Sequence, residues 1–283
     1  MIISTGRNFG FVHIPKCAGS TIKRQLLDLH DIEDRFTNSM RHPELGRINA
    51  NHLPLHVLER HFPEAFAALR KVESYTLLRE PMDRFVSGVA QFVRDKGGEP
   101  GNMTPEEIRK TAYEIIDYME KTPGLPDMEH TLFIRQSDYV SLGGMRIIDH
   151  VYSIDAIDDL MDRLEQEHGV KLLRGQVWNP TVTYKVPAMA SRLKRLKHTA
   201  QKILPVAAYA HIRDLGVRLF TRKGAPNLTE TLGGNARVRR FVDSYYAEDI
   251  ALYDETLNAG RARGMEDHIP GGFPAQTGTA PTQ

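Results

Sequence analysis

Nine consecutive residues, His13-Ile14-Pro15-Lys16-Cys17-Ala18-Gly19-Ser20-Thr21, bring together the groups that hold a phosphate. Ahead of them, Phe9 to Ile14 is a short apolar run rich in aromatic and β-branched residues, the pattern of a buried strand. Behind them, Ser20 and Thr21 can cap a helix with Ile22, Leu26 and Leu29 at helical spacing. A strand that enters a small-residue turn and then a helix aims backbone N–H groups and the helix's positive end at one point. Gly19 permits close backbone approach, the Ser20 and Thr21 hydroxyls donate, and Lys16 adds a mobile positive charge. The loop is not a nucleotide P-loop, G-x-x-x-x-G-K-[ST], because Lys16 precedes Gly19. Taken alone it could equally be an ordinary strand-to-helix turn with a solvated lysine. A second constellation adds weight. Leu77-Leu78-Arg79-Glu80-Pro81-Met82-Asp83-Arg84-Phe85-Val86-Ser87 puts Arg79 at a strand's carboxyl end and Ser87 on the following helix. Arg79 can fork onto a phosphate, a charge-assisted contact worth ~1.5–3 kcal/mol. Ligands of open α/β sheets bind at such carboxyl ends. Two anion sites on one sheet edge imply a nucleotide phosphorylated at two places.

Together these residues resemble the sulfotransferase superfamily, most closely its branch of heparan-type and chondroitin-type carbohydrate sulfotransferases with bacterial homologues. The likeness rests on I-P-K-x-[AG]-G-[ST]-[ST] at 14–21, on L-R-[DE]-P-x-x-R-x-x-S at 78–87, and on Tyr245 to Tyr253, which is similar to the closing Y-x-x-D-x-x-L-Y helix. The resemblance implies that Lys16, Cys17, Ala18, Gly19, Ser20 and Thr21 cradle the 5′-phosphosulfate of 3′-phosphoadenosine 5′-phosphosulfate (PAPS). It implies that Arg79 and Ser87 hold the 3′-phosphate. Glu80 stands where aspartate is commoner and keeps the charge. The reaction needs no metal, since the bisphosphate already leaves well, but it needs a base. Histidine suits that task, with an unperturbed pKa near 6.5.

In related carbohydrate sulfotransferases the base lies between the two phosphate motifs, before a helix. His52, in Asn49-Ala50-Asn51-His52-Leu53-Pro54, matches best; His56 is the reserve and Glu59 an outside candidate. Lys16 is expected to stabilise charge on the transferring group. His13 is expected to pack within its strand, Cys17 to be no nucleophile, and Asp155, Asp158 and Asp159 to serve a helix start. Arg135, Gln136 and Trp178-Asn179-Pro180-Thr181 fall where the family's nucleotide and acceptor loops would lie, without an assignable role. A zinc reading of His52, His56 and His61 is weak, since Pro54 interrupts the helix. Two other functions remain open on the residues: a nucleoside-triphosphate-dependent kinase, and a non-catalytic glycan- or membrane-binding relative.

The elements that must position these groups follow from periodicity. A second strand at Ser74 to Leu78 leads into a helix through Phe85, Val89 and Phe92. Thr104-Pro105-Glu106-Glu107 is a capping box opening a helix through Ile108, Ala112, Ile115 and Met119. A strand at Val151 to Ile154 feeds a helix that Gly169 ends, and Val238 to Leu257 read as one helical stripe. Strands alternating with helices predict an α/β fold, a P-loop-like three-layer sandwich with a central, mostly parallel sheet flanked by helices.

Over 283 residues, 37 Lys+Arg offset 36 Asp+Glu and 41% are hydrophobic, as in an ordinary globular chain. The single Cys17 excludes an internal disulfide framework and fits a reducing compartment, hence a cytoplasmic location. No stretch approaches the ~20 apolar residues that span a bilayer, and the first residues do not form a signal peptide. Residues 1–267 read as one domain and 268–283, rich in Gly, Pro, Thr and Gln, as a disordered tail. Charge is uneven: from Lys185 to Lys223 ten basic residues face one acid, Asp214. This basic helical insertion, about 185–225, is either a solvated hairpin or a surface peripheral to an anionic membrane face. Aromatic residues are too sparse there for nucleic-acid binding. The expected acceptor is a hydroxyl of a saccharide or glycolipid.

Overall fold

The computed structural model describes residues 1–33, 36, 39–174, 182–184, 221–223 and 227–266. The phosphate-type loops hang from a four-stranded sheet of order β1-β2-β5-β8. Strand β1 (Ile2–Ser4) runs antiparallel to β2 (Phe9–Val12), which the loop at 13–19 and helix α1 (Ser20–Leu26) follow. A hairpin of β3 (Ser39–His42) and β4 (Gly46–Asn49) comes next, then α2 (Leu55–His61) and α3 (Pro63–Leu69). Strand β5 (Glu73–Leu78) lies parallel to β2, with Phe11 opposite Tyr75 and Val12 opposite Thr76. Helices α4 (Pro81–Asp95) and α5 (Pro105–Lys121) follow. After the short pair β6 (Ser141–Leu142) and β7 (Met145–Arg146), β8 (His150–Ser153) pairs parallel with β5 and leads into α6 (Ile157–His168). Strands β9 (Val182–Tyr184) and β10 (Thr221–Lys223) pair antiparallel. The chain continues as α7 (Asn227–Gly233), α8 (Ala236–Tyr245) and α9 (Ala247–Glu266). The expected mostly parallel sheet flanked by helices is present.

Two apolar clusters explain why these elements hold. One surrounds the sheet, where Phe9, Phe11, Tyr75, Leu77 and Leu78 are fully buried together with Ile22 and Leu26 of α1. Strands covered on both faces tend to be apolar, as β2 is; in β5 the buried Ser74 and Thr76 hydroxyls are hydrogen-bonded, to Asp149 and to the Val12 carbonyl. The other cluster is helical, joining Phe85 and Val89 of α4, Ala112 and Ile115 of α5, Leu232 of α7 and Val238 and Phe241 of α8. Helix ends follow local chemistry. Thr104 and Glu107 make the reciprocal capping box that the sequence announces, and Gly169 ends α6 at φ 63°, a left-handed position that favours glycine.

Two elements differ from expectation. The stripe from Val238 to Leu257 is two helices, because Tyr246 adopts a non-helical ψ of 25° and turns the chain. Its hydroxyl donates to the carbonyl of Phe133 at 2.8 Å, a tertiary bond that fixes the turn. Strand β1 is the other: three residues are too few for a periodic signal, yet all three are buried against β2. The expected basic insertion lies outside the described residues apart from Thr221–Lys223, as do Trp178 to Thr181 and the tail 268–283. Among the described residues, no helix is long and apolar enough to cross a membrane.

Candidate active site

The loop leaving β2 combines strained backbone torsions with side-chain contacts from elsewhere in the chain. Lys16 and Ala18 adopt φ of 67° and 56°, left-handed values that cost a non-glycine residue ~1–2 kcal/mol each. Ala18 is followed by right-handed Gly19 (φ −59°). Such alternation turns successive N–H groups to one side, the geometry of an anion-holding nest. Strain of this kind concentrates at functional sites. Gly19 also fits a close approach: a Cβ there would lie 2.4 Å from His13 Cδ2. Ser20 and Thr21 are half-buried at the start of α1.

Arg79 follows the last residue of β5, and Ser87 lies two turns into α4. Both line one cavity of about 130 Å³, with Asp83, Arg94 and Glu99. Among the described residues the Nε of Arg79 is buried without a hydrogen-bond partner, and its only ion-pair contact is a long one, 3.9 Å to Asp83. A guanidinium so lightly engaged is available to a ligand. Glu80, beside it, accepts from the N–H groups of Met82 (3.0 Å) and Asp83 (2.6 Å), so the family's acid at this position caps α4.

Lys16 belongs to the same electrostatic field. Burial, then the positive charges of Arg94 and Arg79, bring its ammonium down to about 8, with Asp95 and Cys17 opposing. A cation whose charged form is disfavoured by neighbouring cations is stabilised by a nearby polyanion. Arg94 is a third cation with no motif to mark it in the sequence; it lies in the last turn of α4.

His52 stands in the loop between β4 and α2, which is pinned at several points. Its N–H donates to the Asn49 carbonyl at 3.0 Å, and the Tyr139 hydroxyl donates to its carbonyl at 3.3 Å. The His52 Nδ1 lies 2.9 Å from the backbone carbonyl of His13. A carbonyl only accepts, so Nδ1 carries the proton and Nε2 keeps its lone pair. The two imidazole rings pack with centroids 4.4 Å apart. Burial drives the His52 pKa down to about 3; the His13 hydrogen bond opposes this, while the N-terminal ammonium, Lys23 and Lys16 add to it. Lys23, unremarked in the sequence, is buried and donates to the Phe36 carbonyl at 2.8 Å and to the Asn51 side chain.

His52 lines a second cavity, of about 370 Å³, between the β3–β4 hairpin and residues 125–131. His56 and Glu59 are exposed on α2 and are not part of its lining. His13 is buried just past the end of β2, with Nδ1 unpartnered. Asp155, Asp158 and Asp159 are exposed at the start of α6.

One buried network ties the two phosphate-type loops together. The Gln136 side chain accepts from the Arg79 N–H (2.9 Å) and the Cys17 thiol (3.1 Å), and donates to the Arg79 carbonyl (2.9 Å). Arg84 donates to the carbonyls of Pro15 (3.1 Å) and Ile134 (2.6 Å) and lies 4.0 Å from the Asp249 carboxylate. Asp249 in turn accepts the N–H groups of Gln136 (2.7 Å) and Ser137 (2.8 Å). The Cys17 side chain therefore faces inward, and burial pushes its thiol up to about 11, so it is no thiolate nucleophile. Only its backbone can belong to an anion cradle. A compact group of Glu73, Glu167 and His168 lies at the other end of β5, away from these loops.

A family model described as "Sulfotransferase family" matches residues 1–254. The chain belongs to the sulfotransferase family. Neither the curated proteins nor the solved structures yielded a match. The match spans β1 through the first part of α9, so both loops, His52 and the Arg84–Asp249 pair of this sulfotransferase fall inside it. With the family in hand, the kinase reading of the Lys16 loop falls away.

Proposed function

We propose that this sulfotransferase moves the sulfuryl group of PAPS to a hydroxyl of a saccharide or glycolipid, with His52 as general base. The observation that carries the reading is the fixed His52 tautomer. Nδ1–H bound to the His13 carbonyl leaves Nε2 as the basic nitrogen, on a residue that lines a cavity and lies within the field of Lys16. The residues fit the donor's charge: Lys16 lies in the field of Arg79 and Arg94, and among the described residues the Nε of Arg79 is unpartnered. Arg79 and Ser87 would hold the 3′-phosphate, and the strained backbone at Lys16–Ser20 the 5′ end. PAPS supplies the sulfuryl group and a bisphosphate that leaves without a metal.

At His52, Nε2 takes the acceptor's proton as the acceptor oxygen bonds to sulfur and the bond from sulfur to the 5′-phosphate oxygen breaks. Lys16 stabilises the charge that gathers on that oxygen. The arrangement has its groups in place before reaction, which is where electrostatic catalysis gains most. The location we assign is cytoplasmic, on the strength of the single thiol, with 185–223 as a candidate contact for an anionic membrane face.

The test is His52→Ala. Loss of a positioned base lowers kcat by about 10²–10⁴-fold, while the affinity for adenosine 3′,5′-bisphosphate stays within twofold by calorimetry. Turnover equal to the parent protein would remove His52 from the mechanism.

A further inference from the structure

The lining of the His52 cavity bears on the acceptor. The donor-side cavity sets Arg79 and Arg94 against Asp83 and Glu99, with Lys16 in the field of both arginines. The described wall of the His52 cavity carries two carboxylates, Glu44 and Asp127, against one guanidinium, Arg47. Both carboxylates are held in place. Glu44 lies 3.3 Å from His61 Nδ1, and Asp127 accepts from His130 Nδ1 at 2.8 Å and from the N–H groups of Glu129 and His130 at 3.0 Å. These hydrogen bonds outweigh burial and hold the Asp127 carboxyl below its usual value, so it is ionised at neutral pH. His52 adds no positive charge, because its resting form is neutral.

The rest of the wall is mostly apolar, with Leu45, Ile48, Leu53, Leu125, Pro126 and Met128 beside the polar Asn49 and Thr131. About 370 Å³ lies at the small end of the range for single small-molecule sites. It accommodates one sugar-sized ring with an attached apolar group, not a run of sugars. A chain carrying a carboxylate or sulfate on each repeat would set like charges against Glu44 and Asp127, a repulsion that discriminates against such partners. Apolar side chains gain nothing from a bare sugar and gain from a hydrocarbon or aryl substituent.

We propose that the acceptor is an uncharged amphipathic alcohol: a hydroxyl on a single polar ring that carries an apolar substituent, seated against Leu45, Leu125 and Met128 with its O–H toward His52. Anionic polysaccharides are excluded by Glu44 and Asp127. The inference rests on the reading of His52 as the base.

The experiment uses the full chain and radiolabelled PAPS, with octyl β-glucoside below its micelle concentration, glucose, and the uronate polysaccharides heparosan and chondroitin. The expected kcat/KM for octyl glucoside exceeds that of glucose and of either polysaccharide at least tenfold. Met128→Glu and Leu125→Glu, both at half-buried loop positions, should each lower the octyl glucoside value at least tenfold with adenosine 3′,5′-bisphosphate affinity unchanged. Equal use of glucose, preference for a polysaccharide, or indifference to both variants would overturn the proposal. Equilibrium dialysis of labelled octyl glucoside reads the same cavity without turnover. Saturable binding weakened by Met128→Glu supports the acceptor class, and its absence overturns it. Failure of the bisphosphate to bind would instead condemn the donor assignment, so the two readings fail separately.

Discussion

At neutral pH the His52 imidazole is uncharged in the free protein, with a pKa of about 3, whereas Lys16 titrates at about 8. The groups responsible for the first are burial, the N-terminal ammonium, Lys23 and Lys16; for the second, burial, Arg94 and Arg79, opposed by Asp95 and Cys17. The sign of the pH dependence follows. In the proposed reaction Lys16 meets an anionic donor while protonated, so its contribution is complete below pH 8 and lost as pH rises through that value. His52 is already the free base at any pH well above 3. The kcat/KM for the donor, which reports the free protein, should therefore be flat from pH 5 to 7 and fall above about 8. Lys16→Arg should remove the alkaline limb, since a guanidinium stays charged. An acid limb near 6.5 in initial-rate profiles would mean that His52 has an ordinary solvated pKa. Bound donor brings negative charge beside Lys16 and raises the His52 pKa, strengthening the base only when it is needed. Gly19 belongs to the same scale. A Cβ 2.4 Å from the His13 ring must displace that ring, whose centroid lies 4.4 Å from that of His52. Misplacement by 1 Å can cost about 10²-fold, so Gly19→Ala should lower kcat by that order. Unchanged kcat would mean that the His13 ring yields without moving its neighbour.

Between the elements, Arg84 and Asp249 join α4 to α9 across the loop that leaves β2. The Arg84 side chain is 2% exposed and that of Asp249 0%. Removing one partner of a buried pair leaves the other charge without compensation, at a cost of about 3–5 kcal/mol. Arg84→Met should lower the urea midpoint accordingly and weaken bisphosphate binding, because the bond to the Pro15 carbonyl goes with it. Adding Asp249→Asn should restore part of the stability. The double-mutant cycle measures the coupling, and strict additivity would show that the pair does not act as one. Some of this scale is local and legible from the chain: the Thr104 capping box, the Gly169 stop and the strands at β2, β5 and β8. Other parts are not. Gln136 carries no motif, since a glutamine beside an arginine is ordinary surface composition. Its significance is contact with Cys17 and Arg79, partners 119 and 57 residues away in sequence. The turn at Tyr246 was equally hidden, because the apolar stripe runs on through it while a bond to Phe133 bends the chain.

Across the whole molecule, a chain of near-neutral charge (+1) concentrates cations where the two phosphate-type loops meet. A ligand that binds the folded state alone stabilises it by mass action, about 2.7 kcal/mol at a hundredfold excess over Kd. For a chain of this size that corresponds to an upward shift in thermal midpoint of about 5–10 °C. Adenosine 3′,5′-bisphosphate should produce it without Mg²⁺, and ATP with Mg²⁺ should not. A scanning-calorimetry result with those roles exchanged would return the site to nucleoside triphosphates.

The sequence by itself determined the class of fold and the two loops that follow β2 and β5, and it singled out His52 as the base proposed above. Those features are written in patterns a few residues long, where residue type and spacing act directly on the backbone. Tertiary structure alone decided that His52 keeps its lone pair on Nε2, that Arg94 and Lys23 add charge about the site, and that Gln136, Arg84 and Asp249 hold the loops in register. It also separated the cavity lined by Arg79, Ser87 and Arg94 from the one lined by His52. These are matters of distance between residues far apart along the chain, and burial, hydrogen bonding and electrostatic coupling take their values only once that distance is set.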